Sequence, residues 1–285
     1  MARIVRKERV SPEDVLFEIE APEIAKKHKA GQFVIVRHCE GERVPLTIVT
    51  KDAGRGTITL LMKEIGRSTH ELGALAVGEE IDDLCGPLGN PTPIENYGTA
   101  AVVGGGVGVA PLVAVIEALA AAGNRVVGVF GARTKELLVL RDELSGLCDE
   151  IRFATEDGSF GTKGRVTVEL ERVLREVGPD VVFTAGPVPM MKAVCDMTRG
   201  RVKTIASLNS IMLDGTGMCG GCRVAVGGEI KFTCVDGPEF DGHLVDFEAL
   251  MRRLSMYRDH ERDHIEEHRC RLAEDVRRIE ENGGG

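Results

Sequence analysis

Over the first ninety-odd residues, hydrophobic positions alternate with polar ones in short runs. Val15, Phe17 and Ile19 alternate with polar neighbours. Gly31-Gln-Phe-Val-Ile-Val36, Arg43-Val-Pro-Leu-Thr-Ile-Val49 and Thr57-Ile-Thr-Leu-Leu-Met62 follow at similar spacing between turn residues. These runs predict a small antiparallel β-barrel. Gly66-Arg-Ser-Thr-His-Glu-Leu72 breaks the pattern. There Ser68 or Thr69 is expected to cap a short helix, and free N–H groups at such a helix start suit a pyrophosphate. Gly86-Pro-Leu-Gly-Asn-Pro-Thr-Pro93 reads as the loop leaving the barrel.

From Thr99 the pattern changes. A buried strand, Thr99-Ala-Ala-Val-Val103, runs into Gly104-Gly-Gly-Val-Gly-Val-Ala-Pro111 and then a helical stretch through Ala122. Strand, glycine loop and helix together let a dinucleotide phosphate approach the backbone, although Pro111 stands where the usual fingerprint has its third small residue. Further strands are predicted at Arg125–Phe130, Glu150–Ala154 and Asp180–Thr184, with helices at Leu137–Leu147 and Val166–Val177. This alternation predicts a parallel sheet with crossover helices. The loops Gly131-Ala-Arg133, Thr155-Glu-Asp-Gly-Ser159 and Ala185-Gly-Pro-Val-Pro-Met190 then fall on its carboxyl edge, where open α/β sheets bind ligands.

With 285 residues, 43% of them apolar, the chain has room for two domains and a small module. Its formal charge of −9 is spread without a long basic run, which argues against a nucleic-acid surface and suits a cytoplasmic protein. The apolar run Val102–Ala122 is broken by glycines and a proline. No segment reaches membrane-spanning length, and no signal-peptide layout is present. The tail from Asp246 to Asn282 is charged and helical in pattern. Its His260, His264 and His268 recur at four-residue steps, which reads as a solvated face rather than a metal site.

Of eight cysteines, five are scattered and read as reduced thiols. The other three fall in one stretch: Asp214, four residues, Cys219, two residues, Cys222, then Cys234. This is the plant-type [2Fe–2S] spacing with an aspartate in place of the first thiolate. Glycines 215, 217, 220 and 221 supply the bending such a loop needs. A structural zinc loop is the alternative. It is disfavoured because Cys234 has no second cysteine beside it.

Arg-x-Pro-Leu-Thr in a barrel, then Gly-Gly-Gly-x-Gly-x-Ala-Pro, then an iron–sulfur loop resembles the ferredoxin–NADP reductase superfamily in its flavin-plus-[2Fe–2S] subunit form, over roughly residues 1–245. The resemblance implies a multi-domain chain: an FAD-binding antiparallel β-barrel (1–97), an NAD-binding α/β parallel-sheet domain (98–205), a [2Fe–2S] module (206–245) and a helical tail (246–285). At matching positions it implies FAD contacts at Arg43, Val44, Pro45, Leu46, Thr47, Leu61, Met62, Lys63, Gly66, Ser68 and Thr69. It implies dinucleotide contacts at Gly105, Gly106, Val107, Gly108, Val109, Glu156, Asp157, Gly158, Gly186 and Pro187, and cluster ligands at Asp214, Cys219, Cys222 and Cys234. Within the family, the small subunit of NADH-dependent ferredoxin:NADP oxidoreductase has an aspartate ligand, and the dihydroorotate dehydrogenase electron-transfer subunit has four cysteines. Asp214 favours the former. That likeness implies electron transfer among NAD(H), FAD and the cluster with no catalytic side chain. It also implies a heterodimer with a larger subunit carrying its own FAD and [4Fe–4S] clusters, through which ferredoxin and NADP(H) are reached. A sulfide or polysulfide reductase, or a zinc-stabilised flavoprotein scaffold, are the other readings. Arg133 is a candidate for a 2′-phosphate, so the choice between NAD and NADP rests on the resemblance, which favours NAD.

Overall fold

The computed structural model describes residues 2–39 and 41–256. The three tail histidines lie outside these residues. The first half of the chain contains β1 (Ala2–Arg9), β2 (Asp14–Glu20), α1 (Pro22–Lys27), β3 (Phe33–Arg37), β4 (Val44–Asp52), β5 (Thr57–Lys63), α2 (Arg67–Ala74), β6 (Glu80–Ile81) and β7 (Asp83–Leu88). These strands form an antiparallel sheet in the order β6-β1-β2-β5-β4-β3-β7. Its two edge strands are separated in sequence only by Asp82, so the sheet curls until its edges meet and the barrel nearly closes. Ile4, Ile19, Ile48, Ile58, Leu60 and Met62 fill its interior.

Two expectations change here. Gly86-Pro-Leu88 belongs to β7 and pairs with β3, where Val34 packs too close to residue 86 to admit a side chain. At α2 the cap position is Gly66, and Thr69 sits in the first turn. The Thr69 hydroxyl folds back, donating to the Gly66 carbonyl and accepting from the amides of Ile65 and Gly66.

The second half contains β8 (Thr99–Gly105), α3 (Ala110–Ala121), β9 (Arg125–Ala132), α4 (Arg141–Leu147), β10 (Glu150–Thr155), β11 (Thr162–Lys163), α5 (Val166–Glu176), β12 (Val181–Ala185), α6 (Val188–Thr198) and β13 (Lys203–Ser207). The chain continues through β14 (Arg223–Val226), β15 (Glu229–Phe232), α7 (Thr233–Asp236), β16 (Glu239–Asp241) and α8 (Phe247–Ser255). The sheet order is β11-β10-β9-β8-β12-β13-β16, parallel except for β16. The predicted helix at Leu137–Leu147 is shorter, because Val139 and Leu140 turn inward to join the core and Leu140 takes a left-handed backbone (φ 55°). Strand β8 is apolar along its length because both its faces are covered. Ala100 and Val102 face α3, whereas Ala101 and Val103 face α5. Leu16, Val49 and Leu61 of the barrel share the α3 core, so the two domains have one continuous interior.

Strand β16 returns to this sheet after the cysteine-rich stretch, and it carries Glu239 into the junction with the barrel. Thr92 Oγ1 donates to Glu239 Oε1 at 2.9 Å, whereas Oε2 is buried without a hydrogen-bond partner among the described residues. Burial pushes this carboxyl up to about 7. A raised carboxyl stabilises the fold fully below its unfolded value near 4.5, and that contribution is lost as pH rises through 7. Glu239→Gln is therefore expected to match wild type in urea unfolding near pH 4.5 and to exceed it by about 3 kcal/mol at pH 8. Equal curves at pH 8 would contradict this.

Candidate functional site

The sheet order places the site. Strands β9 and β10 extend from one side of β8, and β12 and β13 from the other, so the chain reverses direction between β8 and β12. A crevice opens at the carboxyl ends of strands at such a point. Here the loops after β8 and β12 meet. A Cβ at Gly108 would lie 2.3 Å from Gly186 Cα, so Gly108 is required by close approach, and a Cβ at Gly186 would in turn lie 3.1 Å from the Gly105 carbonyl oxygen. A cavity of about 440 Å³ lies over this junction, lined by Gly105, Gly106, Val107, Gly131, Arg133, Glu156, Arg165, Pro187 and Met190 of the α/β domain. Its far wall is Glu13, Asp14 and Lys63 of the barrel. That volume suits an extended polar ligand.

Not every expected dinucleotide residue lines this cavity. Gly105, Gly106, Val107, Glu156 and Pro187 do. Val109 is 3% exposed in the core, and Gly108 and Gly186 shape the loops from behind. Asp157 accepts from Ser159 and Gly158 has φ 81°, so both form the turn after β10. Glu13 and Asp14 were not expected from the sequence. Glu13 stands in the turn before β2 and Asp14 is the buried first residue of that strand. Neither belongs to a motif, and only the barrel's packing brings them to the crevice.

On the barrel, register decides which side chains face out. Leu46 and Ile48 are in the interior, so Pro45 and Thr47 lie on the outer face of β4. Phe33 pairs with Thr47 and Ile35 with Pro45, and directly paired residues share a face. Met62 is in the barrel interior and Leu61 in the α3 core, so only Lys63 of that trio reaches the crevice with its side chain. Val44 is half-buried against the barrel interior and Arg43 is exposed. Ser68 Oγ accepts from the Glu42 amide at 2.8 Å, tying the loop before β4 to the start of α2. The outer face thus presents Pro45 and Thr47, with Arg43, Gly66 and Ser68 beyond one end, a flat strip flanked by a cation and a helix start that fits an isoalloxazine and its pyrophosphate.

The cysteine-rich stretch packs on the same outer face. Phe33, Ile35, Met212, Cys222 and Cys234 form one apolar cluster, with Leu88 and Phe232 against it. Cys222 and Cys234 Sγ are 3.2 Å apart and both residues are 2% exposed. Asp214 accepts from the Thr216 amide at 2.9 Å through Oδ1 and from the Cys219 amide at 2.7 Å through Oδ2. The Thr216 amide first, and then that of Cys219, hold its carboxyl below the ordinary range. The Gly221 amide points at Cys219 Sγ, 3.4 Å away. From α8, Arg253 donates to the Gly221 carbonyl at 2.9 Å and fastens the loop. Of the four expected donors, the structure brings the sulfurs of Cys222 and Cys234 together, whereas Asp214 meets the backbone amide of Cys219 and the four donor atoms do not converge on one point. Burial first, then the hydrogen bond with Cys222, pushes the Cys234 thiol up to about 12. Two thiolates in that cage require a cationic partner, and paired soft donors on a glycine loop fit an iron–sulfur cluster.

A barrel, a nucleotide-binding α/β sheet and a thiolate loop define a reductase-type oxidoreductase. Comparison with known proteins refines this. Residues 209–246 match the iron–sulfur cluster binding domain of dihydroorotate dehydrogenase B, and residues 102–196 match the oxidoreductase NAD-binding domain. The chain is 45% identical to the dihydroorotate dehydrogenase B electron transfer subunit homolog of Thermotoga maritima, over 91% of this chain and 92% of that protein. It is 35% identical to the electron transfer subunit of Geobacillus thermodenitrificans, over 76% and 86%. A solved structure of an NADH-dependent reduced ferredoxin-NADP oxidoreductase, studied for flavin-based electron bifurcation, superposes with a TM-score of 0.88 at 43% identity, covering 94% of this chain and 97% of that one. The chain belongs to the family of dihydroorotate dehydrogenase B electron transfer subunits and their homologues. It is an oxidoreductase subunit of the ferredoxin-reductase fold, with FAD, an iron–sulfur cluster and NAD(H) as its cofactors. Membership in a family of subunits implies a partner chain. No helix among the described residues is long and apolar enough to cross a membrane.

Proposed function

We propose that this chain is the small subunit of an electron-bifurcating NADH-dependent ferredoxin:NADP oxidoreductase of the cytoplasm. Its likeness to the bifurcating structure along nearly the whole chain supports this reading. In this reading residues 1–97 hold FAD, 98–205 hold NAD(H) and 206–245 hold a [2Fe–2S] cluster, with 246–285 as a tail. When bound, the flavin exchanges electrons pairwise with a nicotinamide and singly with a cluster.

The observation that carries the reading is the shared barrel face. Pro45 and Thr47 are paired residue for residue with Ile35 and Phe33, on which Cys222 and Cys234 pack. A ring held against β4 therefore lies one strand away from the thiolate loop. The crevice opens beside the same domain junction, with Gly105 to Val107 to receive dinucleotide phosphates and Pro187 and Met190 packed next to Gly105 in its lining. No acid or base is needed, because the chain's task is to bind, orient and exclude water.

Leu213, Met218 and Val235 around the thiolate loop are 50%, 86% and 40% exposed. Exposed apolar side chains grouped at a redox loop suit a protein partner. We assign that partner as a larger subunit with its own FAD and [4Fe–4S] clusters, which oxidises NADPH and passes one electron to ferredoxin and the other to this chain.

Purification of the tagged chain from its own cells tests this. The expected result is co-purification of a large flavoprotein. On the isolated chain, FAD, two irons and two acid-labile sulfides per polypeptide are expected, with NADH bleaching the flavin absorption. Zinc without sulfide would remove the electron path. A complete cofactor set with no large flavoprotein would remove the bifurcating assignment alone.

A further inference from the structure

Three cations line the dinucleotide crevice, and one carboxylate from the other domain engages two of them. Glu13, in the turn between β1 and β2, places Oε1 3.0 Å from an Arg133 Nη at the end of β9, and Oε2 2.5 Å from Lys63 Nζ at the end of β5. Arg133 is 64% exposed, so its guanidinium is held by this bridge and not by packing. Arg165, the third cation, makes no ion pair among the described residues. Beside it in the same wall stands the exposed carboxylate of Glu156.

A dinucleotide brings two pyrophosphate charges, which Arg165 and the amides of the Gly105–Val107 loop can meet. A 2′-phosphate adds a charge of roughly −1.5 to −2. It would find Arg133 and Lys63 already neutralised by Glu13, with the carboxyl groups of Asp14 and Glu156 also in the crevice lining.

We propose that Glu13 is a specificity-determining residue of the dinucleotide site, a barrel carboxylate that reserves Arg133 and Lys63 and so excludes the 2′-phosphate. This rests on the reading of the crevice as the NAD(H) site. The device spans two domains, so selectivity is set by the barrel as well as by the α/β sheet. It works as repulsion and withheld attraction together, since the cations are present and only their availability is controlled.

The test is direct binding of NAD⁺ and NADP⁺ to the flavin-loaded protein by titration calorimetry, with neither ligand able to reduce the flavin. Wild type is expected to prefer NAD⁺. Glu13→Gln is expected to tighten NADP⁺ by about 10-fold or more relative to NAD⁺, with a steeper salt dependence for NADP⁺. Adding Arg133→Gln to Glu13→Gln is expected to cancel the gain. A shift common to both dinucleotides, or none for either, overturns the role of Glu13 while leaving the site reading intact. Absence of binding by wild type for both ligands overturns the site reading and the inference with it.

Discussion

Serine in place of Cys222 should cut the passage of electrons from NADH to one-electron acceptors by at least about 100-fold, while bleaching of the flavin by NADH continues. Even residues that only support a metal ligand typically cost 10–100-fold, so loss of a ligand should exceed that range. Cys222 is the most constrained of the four donors. Its carbonyl accepts from the Thr233 amide at 3.1 Å and from Thr233 Oγ1 at 2.9 Å, and its sulfur also meets the Cys234 amide at 3.5 Å. These contacts hold a position and not merely a residue type. Serine keeps the backbone bonds but supplies a harder, less acidic donor. The checks are iron and sulfide content, the dithionite-reduced EPR signal, and NADH turnover with a one-electron acceptor. A full iron–sulfide complement with unchanged turnover would remove Cys222 from the ligand set.

Asp214 divides the same prediction more finely. Its two oxygens already accept from the Thr216 and Cys219 amides, and a carboxylate keeps further lone pairs for a metal. Asp214→Cys should retain iron and sulfide but change the EPR spectrum and the potential, because a soft thiolate replaces a hard oxygen. Asp214→Ala should lose iron and sulfide. If both variants keep the wild-type spectrum, another residue is the fourth ligand.

Much of this arrangement was legible in the sequence, for reasons that differ between parts. The thiolate loop was legible because a cluster imposes ligand spacing and glycine bending on contiguous residues. The sheet was legible because its strands, covered on both faces, leave long apolar runs such as Ala100–Val103. Strand β1 escaped because its outward positions are charged and, beyond its pairing with β2, its other partner β6 is only two residues long. Leu137–Leu147 read as a helix because leucines at helical spacing do not reveal that Val139 and Leu140 turn in to plug the core. The FAD strip was legible as a motif, but the motif does not say which of its side chains face out. That follows from pairing with β3, a long-range fact. Glu13 left no signal at all. Its meaning depends on Arg133, 120 positions away, and on the packing of two domains.

The second large effect should come from a single methyl group at Gly108. A Cβ there would stand 2.3 Å from Gly186 Cα, 2.7 Å from Gly186 N and 2.9 Å from the Ala185 carbonyl oxygen. All three are backbone atoms, so no side chain can swing aside and the loops after β8 and β12 must separate. Overpacking of this kind costs about 3 kcal/mol. Because both loops line the crevice, dinucleotide affinity should fall together with stability, by about 10-fold or more. Gly106→Ala supplies the contrast. Gly106 has φ 55° and open space around its Cβ position, so alanine there costs about 1 kcal/mol of backbone strain without moving either loop. Urea unfolding and NAD⁺ titration on both variants separate the two cases. Gly108→Ala should lose stability and affinity at once, and Gly106→Ala should keep most of its stability while a methyl facing the ligand weakens binding. If Gly108→Ala unfolds like wild type and binds NAD⁺ as tightly, then the contact between the two loops does not shape the site.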